Sequence, residues 1–256
     1  MPTRRRNDPA VFAASLAPVP TDWNTLTLSA VMPAYNEEAH IEEAVRRVRA
    51  VPLNIELVCV NDASSDGTGE ILDRLKAEGV VQTVIHHPVN RGKGAALRTG
   101  IEAAGGHVIV VQDADLEYDP AEYPVLLEPI LSGRADAVFG SRFQAGPRRV
   151  LYFWHSIGNR MLTLLSNMLT DLNLTDMETC YKMVRADLLK QLPLTSDRFG
   201  FEPEVTARLA RSGARIWEVP ITYSGRTYAE GKKISWKDGV AALWHIVRFN
   251  LLSPRS

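Results

Sequence analysis

His107-Val108-Ile109-Val110-Val111-Gln112-Asp113-Ala114-Asp115 is an apolar, β-branched run that ends on two carboxylates two residues apart. A short run of this kind without polar alternation reads as a strand covered on both faces, as in a parallel sheet. Side chains alternate along a strand, but beyond its end the chain can curl, so Asp113 and Asp115 can converge on one hard cation. Mg²⁺ or Mn²⁺ held by one or two carboxylates takes its remaining ligands from phosphate oxygens and water. The motif therefore points to a diphosphate-bearing substrate rather than to a structural ion. Acidic pairs are also common in solvated turns, so the weight of this one depends on the rest of the chain.

From residue 26 onward, short β-rich runs alternate with helical patterns, the arrangement of an α/β domain on a mostly parallel sheet. Strands are expected at 26–32, 55–60, 81–86, 107–112 and 136–140, with later ones at 179–184 and 216–223. Asn36 is placed to cap a helix running through Arg49, with Glu37 and Glu38 in its first turn and Arg46, Arg47 and Arg49 near its end, as the helix dipole prefers. Further helices are expected from Asp66-Gly67-Thr68 to Glu78 and over 94–104. Residues 1–25 read as a loosely packed tail, 26–230 as the catalytic domain and 231–256 as an amphipathic C-terminal extension.

Ligands of open parallel sheets bind at the carboxyl ends of the strands, and the polar motifs fall there. The first strand leads into Pro33-Ala34-Tyr35-Asn36-Glu37 and the second into Asn61-Asp62-Ala63-Ser64-Ser65-Asp66-Gly67-Thr68. The fourth leads into Asp113-Ala114-Asp115-Leu116-Glu117 and the fifth into Gly140-Ser141-Arg142-Phe143. Asn90-Arg91-Gly92-Lys93-Gly94 opens a helix with glycines around a lysine, which brings backbone and ammonium close to phosphate. Neither a P-loop nor a Rossmann Gly-x-Gly-x-x-Gly is present. A nucleotidyltransferase would carry a glycine-rich signature after its first strand, and residues 32–38 contain no glycine.

As a set, these segments resemble glycosyltransferase family 2, and within it the polyprenyl-phosphate (dolichyl-phosphate) mannosyl- and glucosyltransferases, over roughly residues 28–250. The resemblance implies the GT-A fold: a Rossmann-like, mostly parallel sheet flanked by helices. It implies that Pro33, Ala34, Tyr35, Asn36, Glu37 and Asp62 hold the base and ribose of a nucleotide sugar. Asp113 and Asp115 would hold Mg²⁺ or Mn²⁺ on its diphosphate. Glu117, where relatives often carry glutamine, would be a further metal ligand. Gln112, Lys93 and Lys233 are grouped with the donor-binding residues, and Arg142 and Arg226 with the acceptor phosphate.

A sugar leaving as a nucleoside diphosphate needs its developing charge stabilised, which a bound cation does as a Lewis acid. An alcohol acceptor also needs a general base, for which Asp176 and Glu178 are the first candidates. A phosphate monoester, with its second pKa near ~6, already offers an anionic oxygen. What it needs is a cationic clamp, and Arg142, Arg226, Lys232 and Lys233 are candidates, with Arg148 and Arg149 beside them. In-line attack would invert the anomeric centre. Gly225 to Lys233 reads either as a solvated loop or as one that closes over both phosphates.

Composition sets the remaining bounds. With 256 residues, 45% of them hydrophobic, and a net charge of −1, the chain can bury a large core and lacks the basic balance of a nucleic-acid binder. Cys59 and Cys180, the only cysteines, suggest a reducing compartment. His86 and His87 have no metal-ligand spacing, so zinc is not expected. Residues 1–6 are basic but no apolar stretch follows, and nothing reaches the length of a transmembrane helix. Residues 151–172 form a long apolar and aromatic pattern, repeated over 240–252 after Lys232, Lys233 and Lys237. Such stripes pack on their own core or on a partner subunit, or lie at a membrane surface beside anionic headgroups. A cytoplasmic protein, peripheral at the inner face of the membrane, with a lipid-phosphate acceptor and a membrane partner or a second copy, is the expectation. Phe199-Gly200-Phe201-Glu202-Pro203-Glu204 opens a helix; Glu202 there either serves the helix dipole or lies at the sugar site.

Overall fold

A computed structural model describes residues 16, 18–144, 149, 150, 152–227 and 236–253. Its centre is a seven-stranded sheet in the order β3-β2-β1-β4-β6-β5-β7. The strands are β1 (Leu28–Ala34), β2 (Ile55–Asn61), β3 (Thr83–His86), β4 (Val108–Val111), β5 (Ala137–Ser141), β6 (Lys182–Arg185) and β7 (Ile216–Pro220). Parallel pairing joins β1 to β2 and β4, β2 to β3, and β5 to β7, whereas β6 runs antiparallel to both β4 and β5. The helices are α1 (Ile41–Ala50), α2 (Thr68–Ala77), α3 (Lys93–Ala103), α4 (Tyr123–Leu131), α5 (Phe153–Thr170), α6 (Ala186–Gln191), α7 (Phe201–Ser212) and α8 (Trp236–Val247). A π-helical turn, Arg248–Leu252, follows α8.

All four residues of β4 are buried, as its uninterrupted Val/Ile run demands. From β1 the chain builds outward through β2 to β3, then returns to place β4 on the other side of β1. That reversal leaves a crevice at the carboxyl ends of β1 and β4, the topological switch point where open α/β sheets bind ligands. Because β6 is antiparallel, it is its entry, the segment before Lys182, that lies at this same edge.

The expected strands are present with shifted ends, but the first helix differs. Asn36 does not cap it: α1 starts at Ile41, and Asn36 takes φ 53° in the left-handed region. Its N–H donates to Ser64 Oγ (3.0 Å) and its Oδ1 accepts from the Ser65 N–H (2.8 Å). Fastening to the loop after β2 outweighs the local capping preference. Of the expected tail, residues 1–15 and 17 lie outside the described residues, while α8, in the expected extension, packs on α5 and α7.

Lys93 is set by what surrounds its helix. Gly92 has φ 94°, and a Cβ on Gly92 or Gly94 would strike the carbonyl oxygens of Asp197 and Ser196. The Ala95 N–H donates to Asp197 O (3.0 Å), and the Arg98 guanidinium reaches Ser196 O (2.5 Å) and Asp197 (2.6 Å). The segment before α7 is thereby clamped on the first turn of α3. Gly94→Ala should lower stability by about 1–3 kcal/mol, since overpacking against backbone exceeds the ~1 kcal/mol that alanine gains in a helix. Urea unfolding measures it, and an unchanged or higher midpoint contradicts the close packing.

Candidate active site at the carboxyl edge of the sheet

Immediately after β4, Asp113 meets Lys93 from the start of α3, Nζ lying 2.9 Å from Oδ1. The same ammonium lies 3.1 Å from Glu202 Oε1 at the start of α7, a carboxylate only 6% exposed. Lys93 thus ties the β4 motif to α7. Burial opposes its charge, yet the carboxylates of Asp113 and Glu202 keep its pKa well above the ordinary lysine value.

Asp115 and Glu117 gather on the other side around Arg226. Arg226 Nη2 is 2.9 Å from Asp115 Oδ2, its Nε is 3.5 Å from Glu117 Oε1, and its backbone N–H donates to the same oxygen at 2.8 Å. Glu37, beyond the end of β1, stands 3.8 Å from Nη1. Tyr223 closes the group, its hydroxyl donating to Glu117 Oε2 at 2.7 Å. Burial, then the negative charges of Asp113 and Glu117, push the Asp115 carboxyl up to about 7, while Arg226 pulls it down.

Among the described residues, no cluster of three or more His, Cys, Asp or Glu forms a ready metal cage. The donor set fits an open site instead. Asp115 and Glu117 already share one cationic group, and three crowded carboxylates leave the edge short of positive charge. One or two such oxygens suffice for Mg²⁺ or Mn²⁺ when a diphosphate supplies the rest. Asp115 and Glu117 meet at Arg226, and Asp113 beside them is held by Lys93.

Arg142 follows β5 and pairs bidentately with Asp176, Nε to Oδ2 at 2.6 Å and Nη2 to Oδ1 at 2.8 Å. Asn159 of α5 donates to Asp176 at 3.0 Å, and the Arg142 N–H at 3.1 Å. Asp176 is 0% exposed, and so saturated a carboxylate is a counter-ion rather than a free base. The Arg142 guanidinium lies 5.1 Å from the Tyr223 ring centroid. Tyr223 therefore joins the two arginines, one over its ring and one through Glu117. Sequence reasoning treated it only as a strand end. Its place three residues before Arg226, beyond the last strand, was the available signal.

Other expected residues are turned into the protein. Gln112 is 2% exposed; its Oε1 accepts from the hydroxyls of Tyr123 (2.6 Å) and Tyr181 (2.8 Å), and its Nε2 donates to Asp113 O (2.9 Å). Its side chain braces the strand end rather than facing a ligand. Asp62 accepts from the N–H groups of Arg91 (2.9 Å) and Gly92 (2.6 Å) and pairs with His87 (2.7 Å), so it fixes the turn that presents Lys93. Pro33 and Ala34 end β1 beside Val60 and Asn61, and Tyr35 is exposed at the mouth of the crevice. Arg149 donates to Gly225 O (3.2 Å). Arg148, Lys232, Lys233 and residues 228–235 of the expected closing loop lie outside the described residues, as does the side chain of Lys237.

A buried group between the two arms was only weakly signalled by sequence. Lys182, fully buried at the start of β6, donates from Nζ to Met177 O (2.8 Å) and Thr179 O (2.5 Å). Between these carbonyls, burial first and Glu202 second push the Glu178 carboxyl up to about 8, against the pull of Lys182 and Arg142. The unfolded chain releases that proton near 4.5, so between these values the native state binds more protons and stability from this group falls as pH rises. Glu178→Gln should flatten the urea midpoint between pH 4.5 and pH 8 and raise it at the upper end. Parallel profiles for the two proteins would assign the dependence elsewhere.

Residues 29–193 match the family model described as glycosyl transferase family 2. An undecaprenyl-phosphate mannosyltransferase of Micrococcus luteus is 35% identical over 213 residues, 79% of this chain and 85% of the relative. A dodecaprenyl-phosphate galacturonate synthase of Rhizobium johnstonii is 29% identical over 238 residues, 90% of this chain and 65% of the relative. Among solved structures, glucosyl-3-phosphoglycerate synthase from Mycobacterium tuberculosis, in complex with Mn²⁺, UDP and glucosyl-3-phosphoglycerate, aligns with a TM-score of 0.69 at 22% identity, over 99% of this chain and 88% of that one. With the family model spanning most of the sheet and the fold matching throughout, the chain belongs to glycosyl transferase family 2 and carries the GT-A fold of its enzymes.

Proposed function

We propose that this glycosyltransferase moves a hexose from a nucleotide-diphosphate sugar, of the GDP-mannose or UDP-glucose type, to the phosphate of a polyprenyl chain, with inversion at the anomeric carbon. The observation that carries it is the meeting of Arg142 and Arg226 at Tyr223, beside the carboxylates suited to a cation on the diphosphate. Guanidinium groups grip phosphate oxygens bidentately. A phosphate monoester so held is already anionic and needs no base, which agrees with Asp176 being spent on Arg142 and Asn159. The names of the Micrococcus and Rhizobium relatives, both polyprenyl-phosphate enzymes, support the same acceptor class while differing in the sugar.

In this mechanism Asp115 and Glu117 would hold Mg²⁺ or Mn²⁺, a Lewis acid that would supply positive charge to the nucleoside diphosphate as it leaves. Lys93, fixed between Asp113 and Glu202, keeps its charge and would stand beside the same phosphates. Arg142, held by Asp176, and Arg226 orient the acceptor phosphate for attack from the face opposite the leaving group. An α-linked donor then gives a β-linked product. Asp115→Ala should lose transfer by about 10³-fold or more with its unfolding transition intact. The assay is label from a radiolabelled nucleotide sugar extracted into organic solvent with polyprenyl phosphate. Wild-type protein that leaves all label in water with every donor, or unchanged turnover in the variant, contradicts the proposal.

The acceptor is a lipid, and α5 is built to meet one. Its buried positions include Thr163, Ser166 and Thr170, whereas Trp154 is 77% and Met168 73% exposed, with Phe153, Met161 and Leu164 beside them. Packing on the protein's own core does not account for this outward stripe. Leu243 and Trp244 of α8 are exposed as well, with Arg160 and Arg248. No helix among the described residues is long and apolar enough to cross a membrane. Aromatic and aliphatic side chains beside cations suit the surface of an anionic bilayer, so we place the enzyme peripherally at the inner face of the membrane. Trp154→Glu combined with Met168→Glu should abolish flotation with anionic vesicles while keeping transfer to a short, water-soluble isoprenyl phosphate. Equal flotation of the variant and wild type counts against lipid contact.

A further inference from the structure

Arg142 and Asp176 sit on two different loops, the first after β5 and the second before β6. Their pairing needs those loops at a fixed spacing, and one side chain from a third element touches both. Glu218 of β7 lies opposite Phe139 in the parallel pairing with β5. Its Oε1 accepts from the N–H groups of Thr175 (2.9 Å) and Asp176 (3.0 Å). Its Oε2 accepts from the Thr175 hydroxyl (3.1 Å) and the Gln144 side-chain amide (3.1 Å). Thr175 and Asp176 belong to the loop before β6, and Gln144 to the loop that carries Arg142.

The direction of the remaining hydrogen bonds follows from that carboxylate. A carboxylate accepts and does not donate, so the Thr175 hydroxyl gives its proton to Glu218. Thr175 Oγ1 must then accept from Ser141 Oγ, 2.6 Å away. Ser141 in turn accepts from the N–H groups of Phe143 and Gln144, both at 3.2 Å. Glu218 thus orders a relay from β7 through Thr175 and Ser141 to the backbone that follows Arg142. All of its donors are neutral, so this carboxylate arranges backbone rather than balancing a charge. The rest of the loop before β6 is held by α5, where Asn167 pairs with Leu174 and Thr163 Oγ1 accepts from the Met177 N–H. Between those anchors, the N–H groups of Thr175 and Asp176 go to Glu218.

We propose that Glu218 is a positioning residue for the acceptor side of the reaction: by holding Thr175 and Asp176, it sets the carboxylate that aims Arg142. Asp176 must present both oxygens to the guanidinium, Oδ2 to Nε at 2.6 Å and Oδ1 to Nη2 at 2.8 Å. A two-bond fork of this kind is strict about angle. The Asp176 backbone is anchored on Glu218, so a shift there turns the fork. Thr175 is exposed, so water can take up its donors when Glu218 is removed, while both α5 anchors stay. Loss of Glu218 is therefore felt at Arg142 more than in the stability of the fold. The inference rests on the reading that Arg142 meets the acceptor phosphate.

Transfer kinetics with a short, water-soluble isoprenyl phosphate test it on wild type, Glu218→Ala, Glu218→Gln and Thr175→Val. Glu218→Ala should raise the acceptor KM about tenfold or more, as a misplaced binding group does, and leave the donor KM unchanged. Glu218→Gln, whose amide oxygen still accepts from both N–H groups, should recover most of that loss. Thr175→Val, which cuts only the hydroxyl relay, should show a smaller shift in the same direction. Added to Arg142→Ala, Glu218→Ala should cost nothing further, because its effect passes through that arginine. A readout free of the acceptor is the nitrogen NMR signal of Arg142 Nε, identified by its loss in Arg142→Ala. It should move or broaden in Glu218→Ala and return in Glu218→Gln. An unmoved Nε signal, equal rises in both KM values, no rise in either, or additive losses in the double variant overturns the proposal. If Glu218→Ala does not fold, Thr175→Val carries the same comparisons with the same overturning results. Wild type that leaves isoprenyl phosphate unlabelled, with the Nε signal behaving as expected, removes the acceptor reading and leaves Glu218 as the residue that positions Arg142.

Discussion

Crowding of negative charge at the switch point of the sheet is the constraint on which the site depends. Asp113, Asp115, Glu117, Glu37, Glu202 and Glu178 converge on one edge from the ends of β1 and β4, the entry to β6 and the start of α7. Unpaired, they would each lose solvation and repel one another. Two cations counter most of this charge, Lys93 by pairing with Asp113 and Glu202, and Arg226 by pairing with Asp115, Glu117 and Glu37. Five of these carboxylates meet those two cations, and burial, with the charges of Asp113 and Glu117, raises the Asp115 carboxyl against the pull of Arg226. An edge with that residual deficit attracts a further cation, and a diphosphate can bring one with it.

The scaffold around this edge holds cations as carefully as carboxylates. Lys93 stands where it does because Asp62 collects the N–H groups of Arg91 and Gly92 while Ser196 and Asp197 close over the glycines. Arg142 is aimed by Asp176, itself fixed by Asn159 from α5. Thus α5 both presents its apolar face outward and sends a polar side chain inward to the pair of Asp176 and Arg142.

The sheet was legible in the sequence because its signals are local: apolar runs of strand length, turn residues after each, and charged residues gathered at strand ends. Asp113, Asp115, Glu117, Arg142 and Arg226 stood out as candidates for the same reason, each lying just beyond a strand or in the loop that follows. What the sequence hid was partnership across long separations. Gln112 faces Tyr123 and Tyr181, not a ligand, and Tyr181 is distant in the chain. Asn36 looked like a helix cap because capping is a local preference, but Ser64 and Ser65 compete for it from the next loop. The stripe of α5 could be read from its spacing, whereas which face it turned inward could not.

What Asp176 is doing removes one of the two candidate bases that a hydroxyl acceptor would need. A general base must be within reach of the proton it takes and must have a lone pair to receive it. Asp176 accepts from both edges of its pairing with Arg142, from the Arg142 N–H and from Asn159, behind a surface that leaves it no exposure. Releasing it to act as a base would strip Arg142 of its counter-ion in a partly buried site, a loss of several kcal/mol for a broken buried pair. Keeping it in place leaves an oriented guanidinium beside Tyr223 and Arg226. That arrangement has little to offer a neutral hydroxyl, whereas it supplies to a dianionic phosphate both charge and direction.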